Sequence, residues 1–385
     1  MIPFHRPTFT GNETANVLQA IDGRRIGPGG TYVTACQDWL SERFQVPLAL
    51  PTGSSTAALE MAALLLDLKA GDEVILPSFA YTSTATAFAR TGARLVFVDI
   101  DPATMNLDPG AVEAAITDKT RAIVLVHYAG IACDMERFLA IAERHDLAIV
   151  EDAALAFLAR HEDRLCGTLG TFGCFSFHES KSIHCGQGGA LLINKPEFVA
   201  RAEIILEKGT DRRQFLRGEV DRYSWRDIGS FFALENIRAA FLLAQLQASQ
   251  AVVEELTGLW WRYHARLAPL ARSGLLELAE PPAHAQLNGH LFWLKLADLA
   301  QRDALIAHLR ARGVHAVFHY VPLHSAAAGL RFGRFSGKDR HTSRDAARLL
   351  RLPLFQGFDD LDRVVDLVFT FFEQTGSQAP RRKIS

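Results

Sequence analysis

The chain has 385 residues, of which 49% are hydrophobic and 22% are charged. This composition is typical of a folded globular protein and excludes intrinsically disordered, collagen-like and coiled-coil chains. The net charge of −2 gives no global basic excess, so binding of nucleic acid or of an anionic membrane would require a local patch. The only basic cluster that we find in the sequence is the short run at 381–383, and we expect neither partner.

The length predicts more than one domain, because a single hydrophobic core rarely grows beyond about 250–300 residues. We place a large domain at 1–245, a small domain at 246–376 and a flexible tail at 377–385. The five cysteines are odd in number and lack paired metal-ligand spacing, which favours a reducing compartment and predicts no metal site. We find no secretory signal and no run of about 18 apolar residues, so we expect a cytoplasmic protein.

From about residue 47, short apolar runs alternate with longer helix-period segments, which is typical of parallel strands joined by crossover helices. The predicted strands lie at 73–76, 94–98, 122–126, 147–150, 173–177 and 189–193. Almost no charge interrupts these runs, so we expect the strands to be covered on both faces. The sequence therefore predicts an α/β fold.

The second half of the chain has a different pattern. Residues 233–270 predict one long helix that bridges two domains. After this helix we predict a strand at 290–296, a helix at 302–312, a strand at 316–320 and helices near 341–350 and 359–373. This order indicates a small domain of mixed helices and strands.

Ligands of open α/β sheets bind beyond the carboxyl ends of the strands, so the residues after each apolar run are candidate site residues. A small, hydroxyl-rich turn at 52–59 contains Ser55 and Thr56 and leads into a predicted helix. Such a turn could bind a phosphate through N–H groups and hydroxyls, or it could be an ordinary helix cap. Tyr81 also follows a strand, and its ring could stack on a planar cofactor or pack in the core.

Two ionisable residues occupy unusual places. Asp152 follows the strand at 147–150 among apolar neighbours, where a buried carboxylate needs a cation or hydrogen-bond donors. It could cap the following turn or pair with a protonated heterocycle nitrogen. Lys181 lies between two apolar strands, beside the glycine-rich turn at 186–189. It could be a solvated surface charge, or a desolvated amine that attacks a carbonyl group.

A phosphate-type turn, an aromatic ring, a strand-end aspartate and a later lysine are the parts that a pyridoxal phosphate site requires. Over almost its entire length the chain resembles the sugar aminotransferases of the DegT/DnrJ/EryC1/StrS family. The matching stretches are ALEMAALLLD at 58–67, VHYAG at 126–130, CFSFHE at 174–179, YSWRDIG at 223–229 and VFHYVPLH at 317–324.

The resemblance implies fold type I: a large domain with a mostly parallel seven-stranded sheet between helices, and a smaller C-terminal α+β domain. It implies pyridoxal 5'-phosphate as cofactor, with Lys181 as the catalytic lysine that attaches it and then moves protons. The other cofactor-binding residues that it implies are Ser55, Thr56, Tyr81, Asp152 and Ser176. The substrate-binding residues that it implies are Gly27, Pro28, His319, Tyr320 and His324.

The implied reaction transfers an amino group from L-glutamate to a nucleotide-linked 4-keto-6-deoxyhexose, dTDP-4-dehydro-6-deoxy-D-glucose, for surface polysaccharides such as the O-antigen of lipopolysaccharide. The resemblance also implies a homodimer. Two departures from the family pattern are Leu155 and Phe231, where relatives usually carry polar side chains that reach the cofactor. These departures leave open a non-catalytic member that keeps only the fold. Amination of a 3-keto sugar also stays open, because local motifs scarcely distinguish it from the 4-keto case.

Overall fold

The computed structural model describes residues 1–376, so the predicted tail at 377–385 and its basic run lie outside the described residues. The strands are β1 (Leu48–Thr52), β2 (Glu73–Pro77), β3 (Arg94–Val98), β4 (Thr120–Val126), β5 (Ala148–Asp152), β6 (Arg160–His161), β7 (Arg164–Leu165), β8 (Phe172–Ser176), β9 (Gly189–Ile193), β10 (Glu277–Leu278), β11 (Ala285–Gln286), β12 (Phe292–Lys295), β13 (Gly333–Phe335) and β14 (Leu349–Leu352). The α-helices are α1 (Glu13–Asp22), α2 (Thr31–Phe44), α3 (Ser55–Leu65), α4 (Thr82–Ala89), α5 (Pro109–Ala115), α6 (Met135–His145), α7 (Val199–Leu206), α8 (Arg212–Leu216), α9 (Asn236–Arg272), α10 (Leu299–Ala311), α11 (Ala327–Phe332), α12 (Thr342–Arg348) and α13 (Leu361–Thr375).

A central sheet organises the fold, with strand order β1-β9-β8-β5-β4-β2-β3-β13. Strands β8, β5, β4, β2, β3 and β13 run parallel, whereas β9 is antiparallel to both of its neighbours. The mostly parallel α/β architecture is therefore confirmed. An eighth strand, β13, joins the seven expected ones, because residues 333–335 from the C-terminal part of the chain pair with β3.

The predicted long helix is present as α9, which packs against α1, α2 and α13. Its buried face includes Trp260 and Tyr263, which are both fully buried. The hydroxyl of Tyr263 donates a hydrogen bond of 2.9 Å to the carbonyl oxygen of Pro353. The helix therefore connects the N-terminal helices to the C-terminal part of the chain through a continuous apolar core.

The C-terminal part contains a second, three-stranded sheet in the order β10-β12-β14. The predicted helix near 341–350 ends at Arg348, because Leu349 and Leu350 continue as β14 and pair with β12. The predicted strand at 316–320 is wrong, since only Val317 forms an isolated bridge, to Arg351. The next carbonyl oxygen, that of Phe318, accepts hydrogen bonds from the side chain of Arg351.

The five cysteines are buried free thiols. Across residues 1–376, none of the helices has the length and apolar character needed to cross a bilayer. In the same range, histidine, cysteine and acidic side chains form no group of three that could hold a metal ion.

Gly189 lies where three backbone segments approach one another. As the first residue of β9, it pairs with Thr52 of β1 and with Ser176 of β8. A Cβ atom at this position would overlap the backbone of Ser54 and Ser55. Because backbone atoms cannot rotate away as a side chain does, a side chain here would force strand β9 and the start of α3 apart.

We therefore expect Gly189→Ala to lower the free energy of unfolding by about 2 kcal/mol or more, as overpacked core substitutions do. Gly258→Ala in α9 is the matched control, because beyond its chain neighbours and the adjacent backbone of α9 no atom lies within 4 Å of its added Cβ. The control should stabilise the protein by roughly 0.5–1 kcal/mol through helix propensity. Urea unfolding of both variants measures the difference, and equal stabilities would contradict the steric argument.

Candidate active site

A cavity of about 650 Å³ opens at the carboxyl ends of the central strands, between the sheet and the C-terminal part of the chain. It brings together eight of the predicted site residues: Ser55, Thr56, Tyr81, Asp152, Ser176, Lys181, His319 and Tyr320. They come from the start of α3, from loops and from strand ends, as far apart in sequence as 55 and 320. The fold thus places the predicted lysine, aspartate, aromatic ring and hydroxyl groups around one space.

Lys181 lies in the loop between β8 and β9, and its backbone N–H donates a hydrogen bond of 2.9 Å to the carbonyl oxygen of His178. Burial lowers the pKa of its amine to about 8; the carboxylate of Asp152 opposes this shift and Arg351 adds to it. An amine with this pKa is partly neutral near neutral pH, which is the form that attacks a carbonyl carbon. The structure therefore favours the nucleophile over the solvated surface charge.

Asp152 is the last residue of β5, and its carboxylate is buried. Its Oδ2 accepts a hydrogen bond of 2.6 Å from the hydroxyl of Thr84, and its Oδ1 accepts one of 3.2 Å from the N–H of Ala154. Burial raises the pKa of Asp152, while these two donors and Lys181 oppose the rise. The carboxylate caps the local turn and also faces the cavity, so the two readings of this residue are compatible.

Neighbouring residues of the hydroxyl-rich turn have different roles. Ser54 is the N-cap of α3, since its Oγ accepts a hydrogen bond of 3.1 Å from the N–H of Ala57. The next two residues, Ser55 and Thr56, line the cavity at the positive end of this 11-residue helix. This arrangement is suited to a phosphate group. With the Lys181 amine and the Asp152 carboxylate in the same cavity, the residues fit pyridoxal phosphate.

The opposite wall of the cavity is aromatic. The imidazole of His319 stacks on the ring of Tyr320 with centroids 3.6 Å apart, and its Nδ1 is 2.7 Å from the hydroxyl of Tyr128. Burial, together with the charges of Arg351 and Lys181, holds the pKa of His319 well below its ordinary value. The lowered pKa favours the neutral form of His319, which shares this hydrogen bond with the Tyr128 hydroxyl.

Three predicted substrate-binding residues are not among those that line the cavity. Gly27 and Pro28 lie beside the start of α9, where the N–H of Asn236 donates to the carbonyl oxygen of Gly27 at 3.0 Å. The Nδ1 of His324 is 2.7 Å from the hydroxyl of Ser78. Their predicted contact with substrate therefore stays a prediction.

The two departures from the family pattern occupy different places. The side chain of Leu155 lines the cavity, where it is almost fully buried. Phe231 lies outside the cavity; its ring is about half exposed, and the Nζ of Lys208 lies 5.3 Å from the ring centroid. Leu155 thus removes a polar group from the cavity itself, while Phe231 changes an exposed surface.

Some cavity residues escaped the sequence analysis, namely Phe4, His5, Thr84, His290 and Arg351. Thr84 and His290 carry no distinctive local signal, because their partners are distant in sequence. Arg351 does carry a local sequence signal, because it is the only charged residue in the run LLRLPLF at 349–355. A lone cation within an apolar strand indicates a specific environment on one face of that strand.

The comparisons with known proteins cover most of the chain. The family model of the DegT/DnrJ/EryC1/StrS aminotransferase family matches residues 7–369. GDP-perosamine synthase of Caulobacter vibrioides is 33% identical over 377 residues, which cover 93% of this chain and 95% of that protein.

Solved structures have the same fold. The aminotransferase TlmJ from Streptoalloteichus hindustanus is 28% identical with a TM-score of 0.88, covering 98% of this chain and 100% of the other. The PLP form of Spr1654 from Streptococcus pneumoniae, described as a sugar aminotransferase, is 25% identical with a TM-score of 0.86, covering 97% and 99% of the two chains. The chain belongs to the DegT/DnrJ/EryC1/StrS aminotransferase family.

Proposed function

We propose that the protein uses pyridoxal phosphate to transfer the amino group of L-glutamate to the keto carbon of a nucleotide-linked 4-keto-6-deoxyhexose. One observation carries the proposal: the depressed-pKa amine of Lys181 and the buried carboxylate of Asp152 line the same cavity. A chain that kept only the fold would not need a half-buried lysine that has no carboxylate within ion-pair distance among the described residues. The non-catalytic alternative therefore has little support.

Bound pyridoxal phosphate supplies an aldehyde and a ring that accepts electrons from the substrate carbon. Ser55, Thr56 and Ser176 would hold its phosphate. Asp152 would keep the ring nitrogen protonated, because a buried carboxylate favours a proton on a neighbouring base. Lys181 would attach the cofactor.

The Lys181 amine, when it is not attached to the cofactor, would move a proton to and from the substrate carbon. A pKa of about 8 suits both uptake and release of the proton by this amine, since neither its neutral nor its charged form is strongly disfavoured near neutral pH. The almost fully buried side chain of Leu155 keeps that part of the cavity apolar. This favours exclusion of water from the reacting groups.

The charge of the cavity supports an anionic substrate. Asp152 is the one acidic residue among those that line it, whereas Lys181 and Arg351 are cations and four histidines accompany them. Nucleotide sugars carry a diphosphate and amino-acid donors carry carboxylates, so both are attracted by this balance. The relative from Caulobacter vibrioides is named for a GDP-linked sugar, so we keep the nucleotide, dTDP or GDP, as part of the test.

We also propose that the protein is a homodimer that makes an amino sugar for surface polysaccharides. Support for the dimer comes from exposed apolar side chains on the segment that follows α7, because monomers rarely expose such groups together. Six such side chains lie on this segment, namely Phe215, Leu216, Tyr223, Trp225, Ile228 and Phe231. Trp225 is 79% exposed, more than any other aromatic side chain among the exposed large hydrophobic residues.

The role of Lys181 is tested by absorption spectroscopy with added pyridoxal phosphate. Wild type should develop a visible band, and borohydride reduction should fix one cofactor to the peptide that contains Lys181. Lys181→Ala should show neither, while Lys119→Ala, which removes an exposed lysine, should behave as wild type. A reducible band that persists in Lys181→Ala would overturn the assignment.

The pH dependence of the free lysine gives a second prediction. In the cofactor-free protein, acetylation of Lys181 should rise with pH around a midpoint near 8, because burial disfavours the charged amine. The Asp152 carboxylate raises the pKa of Lys181, so Asp152→Asn should move the midpoint below that of wild type. Mass spectrometry of the Lys181 peptide measures both curves, and an upward shift in the variant would contradict this account.

The substrate is tested by product analysis with L-glutamate and four keto sugars: the 4-keto and 3-keto 6-deoxyhexoses, each linked to dTDP or GDP. We expect amination of a 4-keto sugar, with kcat/KM for the preferred nucleotide at least about tenfold above the other, as one unpaired polar contact would give. Nuclear magnetic resonance locates the new nitrogen. Nitrogen at the third carbon would establish the 3-keto alternative.

A further inference from the structure

The guanidinium of Arg351 faces the cavity from strand β14. Its Nε and Nη2 donate hydrogen bonds of 3.3 Å and 3.0 Å to the carbonyl oxygen of Phe318. Its central carbon lies 4.7 Å from the centroid of the Phe4 ring. A guanidinium has five N–H donors, and only two of these have an acceptor within residues 1–376. The other three, including both on Nη1, are free for a ligand.

Arg351 also lacks a counter-charge. No carboxylate of the described residues lies within 4.0 Å of its side-chain nitrogens, whereas Arg201, Arg217 and Arg348 each have two acidic partners. An arginine keeps its charge at any physiological pH, so this cation remains uncompensated in a partly desolvated place. Such a group stabilises whichever anion enters the cavity.

The position of Arg351 distinguishes between the anions that the proposed reaction brings. It lines the same cavity as Lys181, His290 and His319, and the carbonyl oxygen that it binds belongs to Phe318, directly before His319. Its charge also lowers the pKa values of these three groups, so it shares the part of the cavity where the reacting amine lies. In an amino acid, the α-carboxylate is attached to the carbon that carries the reacting nitrogen. In a nucleotide sugar, the pyranose ring separates the diphosphate from the reacting carbon. Proximity to Lys181 therefore favours the carboxylate.

We propose that Arg351 binds the α-carboxylate of the amino donor through the free edge of its guanidinium, an inference that rests on the proposed aminotransferase function. The Phe318 carbonyl and the Phe4 ring fix the plane of the Arg351 guanidinium before the amino acid binds, so the side chain loses little conformational freedom on binding. The bound carboxylate in turn holds the substrate carbon near Lys181. Arg351 is thus a substrate-binding residue for one half of the reaction and not for the other.

The test uses the full-length enzyme loaded with pyridoxal phosphate and the variant Arg351→Gln. The KM for L-glutamate should rise at least about tenfold, which corresponds to ~1.4 kcal/mol, while the KM for the nucleotide sugar changes less than about twofold. Calorimetry with glutarate, an unreactive dicarboxylate, should show a similar loss of affinity. Calorimetry with dTDP and GDP should show unchanged Kd values.

Arg331→Gln is the matched control, because this exposed arginine also lies over an aromatic ring, that of Phe332 at 4.9 Å, but does not line the cavity. It should leave all of these constants unchanged. Phe4→Leu removes the ring under Arg351 and keeps the cation, so it should raise the KM for L-glutamate less than Arg351→Gln does.

Two results would overturn the proposal: an unchanged glutarate Kd in Arg351→Gln, or a loss of dTDP and GDP affinity with normal glutamate kinetics, which would assign the cation to the diphosphate. If Arg351→Gln does not fold, Arg351→Lys replaces it in the test, because lysine keeps the positive charge but lacks the planar pair of N–H donors. An unchanged KM for L-glutamate in that variant overturns the proposal. If wild type forms no absorption band that depends on Lys181, the proposed function is refuted. The glutarate titration would still measure whether Arg351 binds a carboxylate.

Discussion

The buried carboxylate of Asp152 is the constraint on which the site depends, because it is the one negative side chain in a cavity whose other ionisable groups are mostly bases. Its charge opposes the effect of burial on Lys181 and is itself stabilised by Thr84 and Ala154. The parallel order of β5, β4 and β2 brings these groups to one edge of the sheet. The topology therefore determines that the charges of Asp152 and Lys181 meet at the strand ends. The low polarity of the buried site determines how strongly these charges interact.

Much of this site could be predicted from the sequence, because its large-domain residues follow directly after apolar strands. Asp152 and Lys181 stand out as charges among buried neighbours, and the turn before α3 has a recognisable composition. The other wall could not be predicted in the same way. Residues 349–350 continue a helical pattern of leucines, yet the pairing with β12 makes them a strand, so the tertiary contact overrides the local preference.

The segment at 316–320, which is not a strand, is likewise held by contacts to a distant residue, Arg351. Val317 pairs with the backbone of Arg351, and the guanidinium of the same residue donates to the carbonyl oxygen of Phe318, but residues 318–320 do not pair with β14. The chain then leaves the sheet and presents His319 and Tyr320 to the cavity. Arg351 thus contacts this segment through both its backbone and its side chain, and only a three-dimensional structure could reveal this link between positions that are more than 30 residues apart.

Strand β13 has a consequence for how the cavity opens. It pairs residues 333–335 with β3, while the N–H of Leu323 donates to the carbonyl oxygen of Ser78 at 2.9 Å. A hinged rotation of the wall that carries His319 would have to break these backbone bonds at once. Substrate exchange should therefore proceed without large rigid-body motion, through rotamer changes of side chains at the mouth, among which Tyr81 is 61% exposed.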